Sequence, residues 1–118
     1  GLEAWALRFS DRGFVHRVYR AVRMQLLHGS CGGDGIAQQL LMQRRTFNRR
    51  LECCGLTYQT VLDEVRYSVG RQLLRDTDLP VIDIAAALGY GDSGNFSRAF
   101  RRWSGQAPAI WRRDLRNG

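Results

Sequence analysis

Apolar residues recur along this chain at helical spacing. Val15, Val18, Tyr19, Val22 and Leu26 fall at i, i+3, i+4, i+7 and i+11, the stripe of one helix face, and predict a helix starting near Asp11. The run Gly29-Ser30-Cys31-Gly32-Gly33-Asp34-Gly35 reads as the loop that ends it. A short apolar segment, Ile36 to Met42, follows with Asp34 as its cap, and a helix from about Arg44 to Cys54 is stopped by Gly55. Tyr58, Val61, Leu62, Val65 and Val69 repeat the stripe and carry a helix to Arg75. Asp76 to Pro80 is a turn, with Pro80 suited to a first helical turn. Beyond it come a short helix from Ile82 to Leu88 ended by Gly89, and a basic amphipathic helix from Asn95 to Trp103 ended by Gly105. Pro108 opens a last helix, Ala109 to Leu115. The period-two alternation of a half-buried strand is missing from the sequence, so the expected fold class is all-α.

The two halves echo each other. Ile36-Ala37-x-x-Leu40 matches Ile84-Ala85-x-x-Leu88 at an offset of 48, and Phe47-x-Arg49-x-Leu51 matches Phe96-x-Arg98-x-Phe100 at an offset of 49. Gly55-x-Thr57 then matches Gly105-x-Ala107 at an offset of 50. Each copy reads as a short helix, a tight turn and an Arg-bearing helix, with Ala37 and Ala85 small enough for the two helices to cross closely. The expectation is two tandem helix-turn-helix units, residues 35–54 and 80–104, joined by a linker helix over 57–75 and followed by a C-terminal helix over 108–115.

Composition narrows the function. All 18 Lys+Arg positions are Arg, against 11 Asp+Glu, giving a net charge of +7 over 118 residues. That length fits one domain, or two very small ones, with a real core. Without Lys there is no P-loop. The two His, His16 and His28, and the three Cys, Cys31, Cys53 and Cys54, match no metal spacing, so neither a metal nor a cofactor is expected. Free thiols point to the reducing cytoplasm. Apolar runs are too short to span a membrane. The chain starts at Gly1 with no leader pattern, which is read as a piece of a longer polypeptide.

Position gives the charge its meaning. Arg44, Arg45, Arg49 and Arg50 lie on the second helix of the first copy, Arg98, Arg101 and Arg102 on that of the second, and Arg112, Arg113 and Arg116 near the C-terminus. One basic helix alone is most simply a solvated face. Here the same element is basic in both copies, with Thr46 and Asn48 among the first arginines and Ser93, Asn95 and Ser97 before the second set. Cations for phosphate and short polar side chains for base edges are what a recognition helix needs. The absence of Lys fits, since guanidinium pairs bidentately with guanine and phosphate, but coding bias explains it better.

Competing readings are weaker. Gly89-Tyr90-Gly91-Asp92-Ser93-Gly94 fits G-x-G-x-x-G, yet a helix precedes it where the dinucleotide fingerprint needs a strand. Ser, His and Asp follow no nucleophile-elbow order, so an enzyme is not expected. Phe96, Phe100 and Trp103, at i, i+4 and i+7, read as core and not as base-stacking platforms. The alternative from another class is a basic protein-interaction module docking an acidic partner such as a polymerase subunit.

From about Ile36 to Arg113 the chain resembles the AraC/XylS-type DNA-binding domain of bacterial transcription regulators. The most specific stretch is Ile84-Ala85-x-x-Leu88-Gly89-Tyr90-x-Asp92-x-x-x-Phe96-Ser97-Arg98-Ala99-Phe100-Arg101-Arg102-Trp103-x-Gly105-x-x-Pro108-x-x-Trp111-Arg112. The first half is similar through Ile36-Ala37-x-x-Leu40-x-Met42-x-x-Arg45-Thr46-Phe47-x-Arg49-Arg50-Leu51, and the link through Leu62-Asp63-Glu64-Val65-Arg66 and Leu73-Leu74.

The resemblance implies a seven-helix module whose two recognition helices enter successive major grooves of duplex DNA. Carried over by position, the base-reading residues are Arg45, Asn48 and Arg49 in the first unit and Ser93, Asn95, Ser97 and Arg98 in the second. Arg44, Arg101 and Arg112, with the helix N-termini, are the phosphate contacts. It also implies a regulator that engages RNA polymerase, with residues 1–10 the remnant of a linker from a separate sensing or dimerising domain. The fragment itself is expected to be monomeric. Two departures concern the first unit: Leu41 stands where the family often has Gly, costing roughly 1–2 kcal/mol if the turn is left-handed there. Gln43 replaces the usual Ser cap. The second unit, with Gly89 and Asp92 in place, is expected to be the better held.

Overall fold

The computed structural model describes residues 2–28 and 33–118, and their side chains from Arg12 onward. Seven helices and no strand occur among the described residues: α1 (Leu2–Leu27), α2 (Gly33–Gln39), α3 (Arg44–Cys53), α4 (Tyr58–Asp76), α5 (Val81–Ala87), α6 (Ser93–Ser104) and α7 (Pro108–Asn117). The chain is all-α, as its periodicity indicates. Several boundaries differ from expectation, those of α1 and α2 most. Helix α1 begins at Leu2 and not near Asp11, because Leu2 to Arg8 are helix formers with no Gly or Pro to halt the backbone. Helix α2 begins at Gly33, so Asp34 lies within its first turn and is not its cap. There its charge still faces the positive end of the helix. Cys31 and most of the expected glycine loop fall outside the described residues.

Two compact units divide the chain. The first holds α1 up to Gln25, α2, α3 and α4 up to Val65; the second holds α4 from Arg66, then α5, α6 and α7. In the first unit Phe14, Val18, Val22, Ile36, Ala37, Phe47, Leu51, Val61 and Val65 are buried. The rings of Phe14 and Phe47 meet edge-on at 6.3 Å, which ties the recognition-type helix α3 to α1. Tyr19 on α1 donates its hydroxyl to the Glu64 carboxylate on α4. Burial, reinforced by that carboxylate, pushes the Tyr19 phenol up to about 12.

The second unit repeats the scheme with more aromatic surface. Leu74, Ile84, Leu88, Phe96 and Phe100 are fully buried. Phe100 packs against Tyr67 at 5.5 Å, Phe96 at 5.7 Å and Trp111 at 5.7 Å, while Trp103 lies half-buried against Tyr67. Phe96 and Phe100 therefore belong to the core, with Trp103 packed half-buried at its edge.

The turns between paired helices share one hydrogen-bond pattern. In the first unit Leu41 N–H bonds to Gln38 O (2.9 Å) and Met42 N–H to Ala37 O (2.8 Å). In the second, Gly89 N–H bonds to Ala86 O and Tyr90 N–H to Ala85 O, both at 3.0 Å. Each is a Schellman ending, which requires a left-handed residue just past the helix. Gly89 supplies it at φ 86°; in the first unit Leu41 is forced to φ 58°.

Candidate nucleic-acid interface

Helix α3 starts at Arg44 behind Gln43, whose extended backbone occupies the N-cap while its side chain caps nothing. Phe47 and Leu51 fix the inner face. Arg45, Asn48 and Arg49, at i, i+3 and i+4, are thereby turned to solvent together, and all three are exposed. Among the described residues no carboxylate pairs with Arg45 or Arg49. Arg44 sits differently. Its Nη1 reaches Asp34 Oδ1 at 3.3 Å, its Nε donates to Asn48 Oδ1 at 3.2 Å, and its guanidinium lies 5.4 Å from the Tyr58 ring centre. Arg44, Asn48, Glu52, Thr57, Tyr58 and Gln59 line an open groove of about 340 Å³ beside α3.

Helix α6 is better anchored. The Asp92 carboxylate at the N-cap accepts from Gly94 N–H at 2.8 Å, and this is why the helix begins at Ser93, earlier than its apolar stripe suggests. With Phe96, Ala99 and Phe100 facing inward, Asn95, Arg98 and Arg101 emerge on the exposed side at intervals of three. Ser93 and Ser97 are half-buried on the flank. Arg98 donates to Asn95 Oδ1 and its Nη1 lies over the first turn, 3.3 Å from where a Cβ on Gly94 would stand. The two side chains are therefore paired before any ligand arrives. Arg101 and Arg102 are exposed in the last turn, where their charge also favours the helix dipole.

Arg112 does not stand with these. Its Nε donates to Leu74 O (3.0 Å), Nη1 to Leu79 O (2.6 Å), and Nη2 to Leu73 O (3.4 Å) and Thr77 O (3.3 Å). The guanidinium thus caps the carbonyl end of α4 and the turn after it. Those bonds give Arg112 a structural role and occupy the donors that the expected phosphate contact would use. Arg116 adds to the same turn through Thr77 O and through Asp78 at 2.8 Å.

Arg66, given no role from sequence, likewise holds a turn. Its Nε donates to Leu88 O at 2.9 Å, and its guanidinium stacks 4.4 Å from the Tyr90 ring centre. Tyr90 in turn packs on Phe96 at 5.6 Å. Arg66 therefore pins the turn that aims α6. Neither arginine could be placed by spacing, because each reaches carbonyls far along the chain.

The exposed chemistry is cationic and polar, carried on the second helix of each pair. Among the described residues no group of His, Cys, Asp and Glu could hold a metal, and no helix is long and apolar enough to cross a membrane. Neither Cys53 nor Cys54 forms a disulfide with another described residue. Fold and site together define a tandem helix-turn-helix domain.

Comparison with known proteins places it further. A family model described as "Helix-turn-helix domain" matches residues 36–114, and the chain belongs to that family, the AraC-type helix-turn-helix domains of transcription regulators. It is 46% identical over 76 residues to the ornithine utilization regulator of Pseudomonas aeruginosa, covering 64% of this chain and 22% of that protein. It is 34% identical over 103 residues to the transcriptional regulator VirS of Mycobacterium tuberculosis, covering 87% of this chain and 30% of that one. The chain thus spans under a third of the length of these relatives. Among solved structures, the DNA-binding domain of the global transcriptional factor AdpA, in complex with a target DNA, superimposes with a TM-score of 0.72 at 28% identity, covering 85% of this chain and 93% of that chain. This family is one of DNA-binding regulator domains and not of enzymes, and the match does not favour a basic module docked on a polymerase subunit.

Proposed function

We propose that this chain binds double-stranded DNA sequence-specifically, with α3 and α6 as recognition helices reading successive major-groove segments. The observation that carries the proposal is the shared register of Arg49 and Arg98. Each lies two residues after a fully buried Phe, Phe47 or Phe96, and each projects from the exposed face of the second helix of its pair. Arg45, Asn48 and Arg49, and Ser93, Asn95, Ser97 and Arg98, are the base-reading residues in this reading. Arg101 and Arg44 contact phosphate, Arg44 by exchanging its exposed Asp34 partner, while Arg112 is removed from the set. Affinity comes largely from phosphate neutralisation and specificity from the two helices.

The same proposal makes the chain the DNA-binding part of a longer bacterial regulator. It acts in the cytoplasm without a cofactor or catalytic step, is monomeric as this fragment, and meets RNA polymerase once on DNA. Any dimer forms through another domain. The test is selection from a random duplex library with the 118-residue chain. Enrichment of two short blocks about one helical turn apart supports the tandem reading, and no enrichment overturns it.

A further inference from the structure

The first unit carries a basic, partly apolar groove that none of the proposed DNA contacts lines. It has a volume of about 260 Å³ and lies between α1 and the end of α2, bordered by Arg17, Arg20, Ala21, Met24, Gln39 and Leu40. Arg17, Arg20, Ala21 and Met24 are at i, i+3, i+4 and i+7, one continuous strip of α1. Arg17 and Arg20 are exposed, and no described carboxylate pairs with either. Between Arg12 and His28 the helix has no Asp or Glu, so the strip presents charge of a single sign. The floor is apolar: Ala21 is buried, Leu40 half-buried and Met24 44% exposed.

We propose that this groove docks an acidic amphipathic helical segment of a partner protein. Its charge selects an anionic partner, and its floor selects among them. Duplex phosphates have nothing to place against Ala21, Met24 and Leu40, whereas a helix with an apolar stripe flanked by carboxylates fills the floor and meets both arginines. The anchors on α1 span two helical turns, the length over which a docked helix presents i, i+3/i+4 and i+7 side chains. Met24 can repack around different apolar side chains because its thioether chain is unbranched and flexible. The inference stands independently of the DNA reading, since no residue is shared.

The test titrates the 118-residue chain with a synthetic helical peptide bearing Leu at i, i+3 and i+7 among Glu residues. A second peptide of the same composition, shuffled to remove the stripe, is the control. The readout is the NMR methyl signals of Ala21, Met24 and Leu40. The striped peptide is expected to shift these signals saturably and to bind about tenfold more weakly to the R17E/R20E double variant. Met24→Ser and Gln39→Glu, both at the groove surface, should weaken it in the same direction while helicity by circular dichroism is kept. Equal binding of the shuffled peptide, indifference to these substitutions, or methyl shifts produced by random duplex DNA and not by the peptide would each overturn the proposal.

Discussion

Leu41 and Gly89 occupy equivalent places in the two units, and both hold a left-handed backbone, at φ 58° and 86°. The flanking hydrogen bonds are the same in both turns, so the geometry belongs to the motif and not to the residue. Leu41 is 94% exposed and gains no burial in return. Its left-handed conformation costs roughly 1–2 kcal/mol, of which the greater freedom of an unfolded glycine would take back about 0.4–1 kcal/mol. Leu41→Gly is therefore expected to stabilise the chain by about 0.5–1 kcal/mol in urea unfolding. Gly89→Ala should destabilise it by about 1 kcal/mol or more, since the new Cβ would also stand 3.3 Å from Arg66 Nη2. A Leu41→Gly variant no more stable than the parent would show that the turn is not strained.

Capping separates the two recognition helices in the same direction. Asp92 caps α6 and Gln43 leaves α3 uncapped. Asp92→Ala should lower stability by about 1 kcal/mol, and Gln43→Ser or Gln43→Asp should raise it by up to about 1 kcal/mol. Thermal unfolding of the three variants beside the parent checks both signs.

The tandem helix pairs were legible because burial imposes a period: Ile36, Phe47 and Leu51, and Ile84, Phe96 and Phe100, face inward at helical spacing and are all fully buried. The left-handed turn was legible too, because Leu41 stands where the family it resembles often has Gly. Periodicity says nothing, however, about where an unbroken run of helix formers begins, and so α1 extends past Asp11 to Leu2. Nor does it say which way a long flexible side chain turns. Arg101 and Arg112 look alike as sequence. One is exposed, and the other spends its donors on carbonyls more than 30 positions away. The pairing of Arg98 with Asn95 was within reach, since the two are three residues apart on one helix.

That contrast between two arginines can be measured. Arg112→Ala strips the cap from the end of α4 and should destabilise the chain by about 1–3 kcal/mol while leaving the salt dependence of DNA binding unchanged. Arg101→Ala should leave stability within about 0.5 kcal/mol and reduce the slope of log affinity against log salt by about one. A reduced slope for Arg112→Ala with normal stability would return that residue to the phosphate set.

Tyr19 links stability to alkaline pH. Its folded pKa is raised to about 12 from 10.0, so the folded state favours the protonated phenol. The stabilisation is complete below pH 10 and is lost as pH rises through 12, because the unfolded chain releases the proton first. Tyr19→Phe cannot ionise, so the difference in unfolding free energy between parent and variant should shift toward the variant across that window. A difference that stays flat from pH 9 to pH 12 would mean that the Tyr19–Glu64 contact does not hold the proton.

Arg49 and Arg98 supply the sharpest test of base reading. Both project from helices whose inner faces are locked by a buried Phe, and Arg98 is already paired with Asn95. Removing either cation loses a base contact and a little general attraction for phosphate. On cognate DNA each substitution to Ala should cost about 1–3 kcal/mol, and on random DNA much less, with preference relaxed at one position of the site. The position should differ between them, since the two helices read separate blocks. Asn95→Ala is expected to weaken the same position as Arg98→Ala, and the double variant should lose less than the two separately, because the residues act as a pair. Competition binding against single-base variants of the selected site reads all four. Equal losses on cognate and random DNA for Arg98→Ala would make it a phosphate contact and leave α6 without its main reader.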